Sequence, residues 1–154
     1  MSDDLNIVGK RVVRSDSLAK VTGQARYTAD LKFPKMLTAK VLRSPFPHAR
    51  ILGIDLTRAL KVPGVKAAVS GFDAYGVKWG VFRYTQDHDM LPTDKVRYVG
   101  EDVAAVAAVD EETAMEALSL IKVDYEPLPA VFDPEEAMQE GAPRIHEVYP
   151  NNIN

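Results

Sequence analysis

The sequence predicts an α+β domain with a mixed sheet, and three adjacent features in its C-terminal half carry that reading. Val103 to Val109 runs Val-Ala-Ala-Val-Ala-Ala-Val, apolar on both faces, as a strand in the middle of a sheet requires. Asp110 follows as a helix N-cap, with Glu111 and Glu112 in the first turn, where the helix dipole favours negative charge. Ala114, Ala117, Leu118 and Ile121 recur at spacings of three and four and form one apolar stripe. Lys122 to Tyr125 is the returning strand. Strand, helix, strand makes a β-α-β unit, for which parallel pairing and a right-handed crossover are expected.

The rest of the chain supplies the other elements in order. Residues 1–12 are polar and mixed and read as an arm with little structure; the whole of 1–154 reads as one domain. Gly23 marks a turn into a short extended piece. Met36 to Arg43 is a loosely alternating strand that Ser44-Pro45-Phe46-Pro47 ends, because proline lacks the N–H a ladder needs. Ala49 to Leu56 is the next strand, with Ile51 and Ile54 as core contacts. Thr57 is placed to cap a short helix through Leu60 that Pro63-Gly64 terminates, and Val65 to Val69 is a strand. Gly71 to Thr93 has no clean period and holds five of the twelve aromatic residues. A stretch this long is either a functional loop or a surface that another chain orders, and the second is favoured here. Lys95 to Tyr98 is a strand, followed by the turn Gly100-Glu101-Asp102. Near the end Asp133 caps a short helix with Pro134 at its first position, Glu136 completing a capping-box-like pattern and Gly141 as the stop.

Composition narrows the function. Lys and Arg total 19 against 22 Asp and Glu, a formal net charge of -3, which argues against a dedicated nucleic-acid binder. With 0 cysteines the chain can hold no disulfide, thiolate zinc site or iron–sulfur cluster, and it has no nucleophilic thiol. The longest apolar run is far short of the ~20 residues that cross a bilayer, and Met-Ser-Asp-Asp is not the start of a signal peptide. A cytoplasmic protein is expected, without nucleic-acid or membrane partners.

The search for chemistry selects no catalytic, cofactor-binding or metal-ligating residue. Asp87-His88-Asp89 invites a metal reading, but neighbours on a strand point to opposite faces and no H-x-x-H spacing supports it. His48, at a strand start, reads as a satisfied structural histidine, and His146 has no partner at an informative spacing. Asp110, Glu111, Glu112, Asp133 and Glu136 serve helix starts and Glu101 and Asp102 a turn, and no phosphate-binding glycine loop or G-x-S-x-G is present. Lys10, Arg11 and Arg14 form a small basic cluster, either a solvated arm or an anion contact. The candidate interface comprises Ser44, Pro45, His48 and Arg50 in one turn, and Trp79, Phe82 and Tyr84 in the irregular middle. The three aromatics serve equally as an interface or as a small local core.

Several blocks occur in a familiar order: Lys20-Val-Thr-Gly-Gln-Ala-Arg-Tyr-Thr-Ala-Asp30, Val41-Leu-Arg-Ser-Pro45, His48-Ala-Arg-Ile51, Pro63-Gly-Val65, Val96-Arg-Tyr-Val-Gly-Glu101 and Val123-Asp-Tyr-Glu-Pro-Leu-Pro129. From about Gly9 to Asn152 the chain resembles the N-terminal a/b hammerhead domain of the molybdopterin-binding large subunit of the xanthine dehydrogenase and aldehyde oxidase family. The first blocks look closest to subunits of the 4-hydroxybenzoyl-CoA reductase type. The resemblance implies a hammerhead-like fold and a non-catalytic scaffold or interface role in a molybdenum hydroxylase or dehydrogenase complex acting on an aromatic, heterocyclic or aldehyde substrate. In that family the molybdopterin lies in segments after the hammerhead, and iron–sulfur and FAD centres in partner subunits or domains. The glutamine–glycine–phenylalanine–glycine stretch and the late catalytic glutamate of those segments are absent from these 154 residues, so no catalytic residue is carried over. The implied partners are the molybdopterin-binding body and the iron–sulfur part. The alternative is a free-standing small-molecule or protein-binding module with the same architecture, since a fold licenses no function alone.

Overall fold

The computed structural model describes residues 7–74, 76, 78–80 and 86–153. The chain divides into two compact units, Met1–Met36 and Leu37–Asn154.

In the first unit the short helix α1 spans Ser17–Val21. Asp16 at its N-terminus accepts from Arg14 at 2.9 Å and pairs with Lys20 at 2.7 Å. Arg14 of the basic cluster is therefore tied to a carboxylate. Gly23, at φ 72°, closes the turn after the helix, as its position predicts. A single 3₁₀ turn at Thr28–Asp30 follows, closed by the Tyr27 N–H donating to the Asp30 carboxylate at 2.9 Å.

The second unit carries strands β1 (Thr38–Arg43), β2 (Ala49–Asp55), β3 (Val65–Ser70), β4 (Lys78–Trp79), β5 (His88–Asp89), β6 (Lys95–Val96), β7 (Asp102–Ala108) and β8 (Lys122–Pro127). Helix α2 (Glu111–Ser119) joins β7 to β8, and α3 (Pro134–Ala137) follows. The strands form sheets of order β1-β7-β3 and β6-β2-β8, with β4-β5 as a two-stranded ribbon. β7 is the central strand its apolar run predicts. Strand, helix and strand follow in the expected order, but the expected parallel pairing is corrected. Both edges of β7 are taken by antiparallel β1 and β3, so β8 joins the other sheet, antiparallel to β2 with Ile54 opposite Val123. Every ladder among the described residues is antiparallel.

Helix α2 lies on one face of the first sheet, where its stripe meets Ala104 and Val106 of β7. Asp110 caps it, accepting from the Thr113 N–H at 2.8 Å. Lys40 of β1 reaches across to Glu111 at 2.5 Å. A second core joins the sheets, with Ala49, Ile51, Val96 and Val103 all buried.

Three local expectations shift. Thr57 does not cap the short helix; its N–H donates to Asp55 at 2.8 Å, and a 3₁₀ turn begins at Ala59. The strand expected over Lys95 to Tyr98 is only two residues long. α3 ends at Ala137, four residues before Gly141, which at φ 84° shapes the next turn. No described helix is long and apolar enough to cross a membrane.

Candidate interface

The turn after β1 is fixed from both sides. The Ser44 N–H donates to the Glu101 carbonyl at 2.8 Å, and the Gly100 N–H donates back to the Ser44 carbonyl at 2.8 Å. Gly100 sits at φ 89°, the left-handed region that lets the Gly100-Glu101 turn fold against Ser44. The Ser44 hydroxyl is spent locally, accepting from the Phe46 N–H at 3.0 Å. Ser44 is only 2% exposed, so it shapes the turn from inside, whereas Pro45 stands on the surface. Phe46 leans on Tyr125 of β8 with ring centroids 5.1 Å apart. Burial raises the Tyr125 pKa against the lowering effect of a hydrogen bond with Ser44.

His48 is 5% exposed, and its Nδ1 lies 2.7 Å from the Pro129 carbonyl. Nδ1 is therefore the donor, and Nε2 is buried with no hydrogen-bond partner among the described residues. The Leu128 N–H donates to the His48 carbonyl at 2.9 Å, so this residue clamps the end of β8 twice. Two positions on, Arg50 is exposed and pairs across the strands with Glu126 at 3.0 Å. His48 and Arg50 line a pocket of about 540 Å³ with Lys95, Leu128, Pro129 and Arg144.

Two buried charges near this turn escape a reading by residue type. Lys95 is 7% exposed and its ammonium meets Glu147 at 2.6 Å. Glu101 is 5% exposed and accepts from the Arg97 N–H at 2.5 Å. Burial pushes its carboxyl above the usual range, against that hydrogen bond and the Arg97 charge. The sequence places Glu101 in a turn; only the folding of that turn onto Ser44 shows that it points inward.

The middle segment is described in part. Trp79 pairs with His88 in the ribbon, its ring 5.5 Å from the imidazole, and it is 52% exposed. Phe82 and Tyr84 lie outside the described residues. His88 approaches Asp87 at 3.6 Å and stands edge-on to Tyr98 and His146. His146 is shifted to lower pKa, first by burial and then by the Arg97 charge. Among the described residues no three His, Asp or Glu side chains gather as a metal site would need.

Residues 22–129 match the family described as aldehyde oxidase and xanthine dehydrogenase, a/b hammerhead domain. The chain belongs to that family. It is 46% identical over 136 residues to a probable xanthine dehydrogenase subunit of Bacillus subtilis, covering 88% of this chain and 18% of the relative. It is 40% identical over 151 residues to the nicotinate dehydrogenase large molybdopterin subunit of Eubacterium barkeri, covering 95% of this chain and 34% of the relative. Among solved structures, quinoline 2-oxidoreductase from Pseudomonas putida superposes with a TM-score of 0.81 at 37% identity, over 92% of this chain and 19% of that one. The chain thus spans between 18% and 34% of the length of these relatives.

In the pocket beside His48, Arg50 and Lys95 are already bound to carboxylates, and the His48 donor is committed to Pro129.

Proposed function

We propose that this chain is the hammerhead domain of a molybdopterin-binding large subunit and serves a molybdenum hydroxylase as scaffold and interface, without reacting groups of its own. The observation that carries this reading is the asymmetry of coverage: nearly all of this chain aligns with under a fifth of the Bacillus subtilis relative. The side chains with catalytic potential near the turn support it, since Ser44 and Lys95 are committed to local partners and His48 Nδ1 to the Pro129 carbonyl. The molybdopterin would lie in the remainder of the large subunit, and iron–sulfur and FAD centres in partner subunits or domains. The substrate would be an aromatic, heterocyclic or aldehyde compound. Pro45, Arg50 and Trp79 are the exposed members of the proposed contact set, and Ser44 and His48 hold the turn that presents the first two. The pocket of about 540 Å³ favours the second reading, a free-standing module for a small ligand.

Molybdenum content separates the two. Affinity purification of the tagged chain from its native source, followed by elemental analysis, should recover about one molybdenum per copy. A preparation without molybdenum and without larger polypeptides would overturn the first reading.

A further inference from the structure

Residues 143–152, beyond α3, are held on the domain by polar contacts and rings rather than by a sheet ladder. The Asn152 side chain gathers the segment, accepting from the Ile145 N–H at 2.9 Å and donating to the Ala137 and Pro143 carbonyls at 2.9 and 3.0 Å. Its backbone takes the left-handed φ of 56°, which asparagine tolerates better than most residues. Glu147 pairs with the Lys95 ammonium at 2.6 Å. The His146 ring stands edge-on to His88 of β5 with centroids 6.4 Å apart, and Tyr149 of the same segment backs it at 6.0 Å.

The charges facing His146 are poorly matched to a second cation. Lys78 of β4 is held by Asp89 of β5 at 2.9 Å, and Asp87 lies 3.6 Å from His88 Nε2. Lys95 of β6 is answered by Glu147. Arg97, just after β6, reaches Asp94 only at 3.4 Å, and its Nε is buried with no hydrogen-bond partner among the described residues. Lys78, Asp87, Arg97, His146, Glu147 and Tyr149 line one cavity of about 280 Å³. A neutral, half-buried imidazole fits these surroundings, whereas a proton on it would place a new charge beside Arg97. His146 is accordingly shifted to lower pKa by burial first and Arg97 next, with Asp87 pulling the other way and His88 and Lys95 adding smaller lowering effects.

We propose that His146 is a pH-operated latch, docking residues 143–152 on the domain while its ring is neutral and loosening them when it takes up a proton. Pro143, Arg144 and Glu147 form one wall of the pocket beside His48, so loosening the segment opens that pocket. The sign follows from linkage. A histidine whose docked pKa is depressed contributes docking stability above its undocked value, near 6.5, and loses it as pH falls through the docked one. Lys95 holds Glu147 below its ordinary value of 4.5, so the titration of that ion pair lies below this window. The latch is built from this chain's own residues and does not depend on the function proposed above.

Hydrogen exchange in the native assembly, read by peptide mass spectrometry, tests this. Once the intrinsic pH dependence of exchange is removed, amides of 144–152 should exchange about threefold or more faster at about pH 5 than at about pH 7.5, with β7 peptides unchanged. Slow exchange of the imidazole C2 hydrogen in the same peptides reports the His146 titration directly, and its midpoint should coincide with the loss of protection. His146→Phe keeps a ring but takes no proton, and should stay protected across the whole range. Protection of the parent that does not change with pH would overturn the latch. So would a pH-dependent loss that persists in His146→Phe. Should that variant fail to fold, a loss of protection in the parent whose midpoint departs from the His146 titration would overturn it equally.

Discussion

His48 and Pro129, 81 residues apart, are joined by a 2.7 Å contact from Nδ1 to the carbonyl oxygen. It ties the start of β2 to the segment that leaves β8, and so sets where the chain departs from the second sheet. His48→Ala removes both this bond and a buried ring. The expected cost is about 2 kcal/mol, read as a lowered urea midpoint. An unchanged midpoint would show that the clamp is dispensable.

Gly71 follows β3 where the backbone of Leu91 and Pro92 crosses. A Cβ at this position would stand 2.5 Å from the Leu91 carbonyl oxygen and closer still to that of Pro92. Backbone cannot swing aside as a side chain tip can, so Gly71→Ala should cost about 2–3 kcal/mol. Thermal melting checks it; a variant as stable as the parent would mean that the two segments do not approach so closely.

Glu101 has a folded pKa raised above its ordinary value of 4.5, mainly by burial. A carboxyl with a raised folded pKa contributes stability below the unfolded pKa and loses it as pH rises through the folded pKa. The parent should therefore lose stability relative to Glu101→Gln as pH climbs from about 4.5 toward neutrality, because the amide keeps an acceptor for the Arg97 N–H without the buried charge. Paired denaturation curves across that range check the sign. A parent that gains on the variant with rising pH would mean that the Arg97 charge outweighs burial.

Trp79 is 52% exposed in the ribbon beside His88. In the isolated chain its fluorescence should be red-shifted and readily quenched by acrylamide, and assembly with partners should protect it if this segment is an interface. A blue-shifted, unquenchable indole in the isolated chain would remove Trp79 from the contact set.

The parts of the fold legible in the sequence are those set by local rules. The Val103 to Val109 run specified a central strand, Asp110 and Asp133 cap the helices they precede, and the Ala114 to Ile121 stripe is buried as its period requires. Strand partners were less legible, because the apolar run of β7 suits pairing with any of several neighbours and the alternation of β8 does not name its partner. Their separation into two sheets is decided by β1 and β3 occupying both edges of β7, a long-range event with no local signature. The turn from Ser44 to Arg50 was legible as a unit, but not which side chains face inward. Ser44, His48 and Glu101 are polar residue types whose burial arises from the turn folding onto Gly100 and onto the end of β8.

The most direct test of the central claim is the intact mass, under denaturing conditions, of this polypeptide from its native source. A mass several times 17.0 kDa is predicted, as for a hammerhead carried within a molybdopterin-binding large subunit. A mass of 17.0 kDa would contradict that claim and identify a separate small polypeptide.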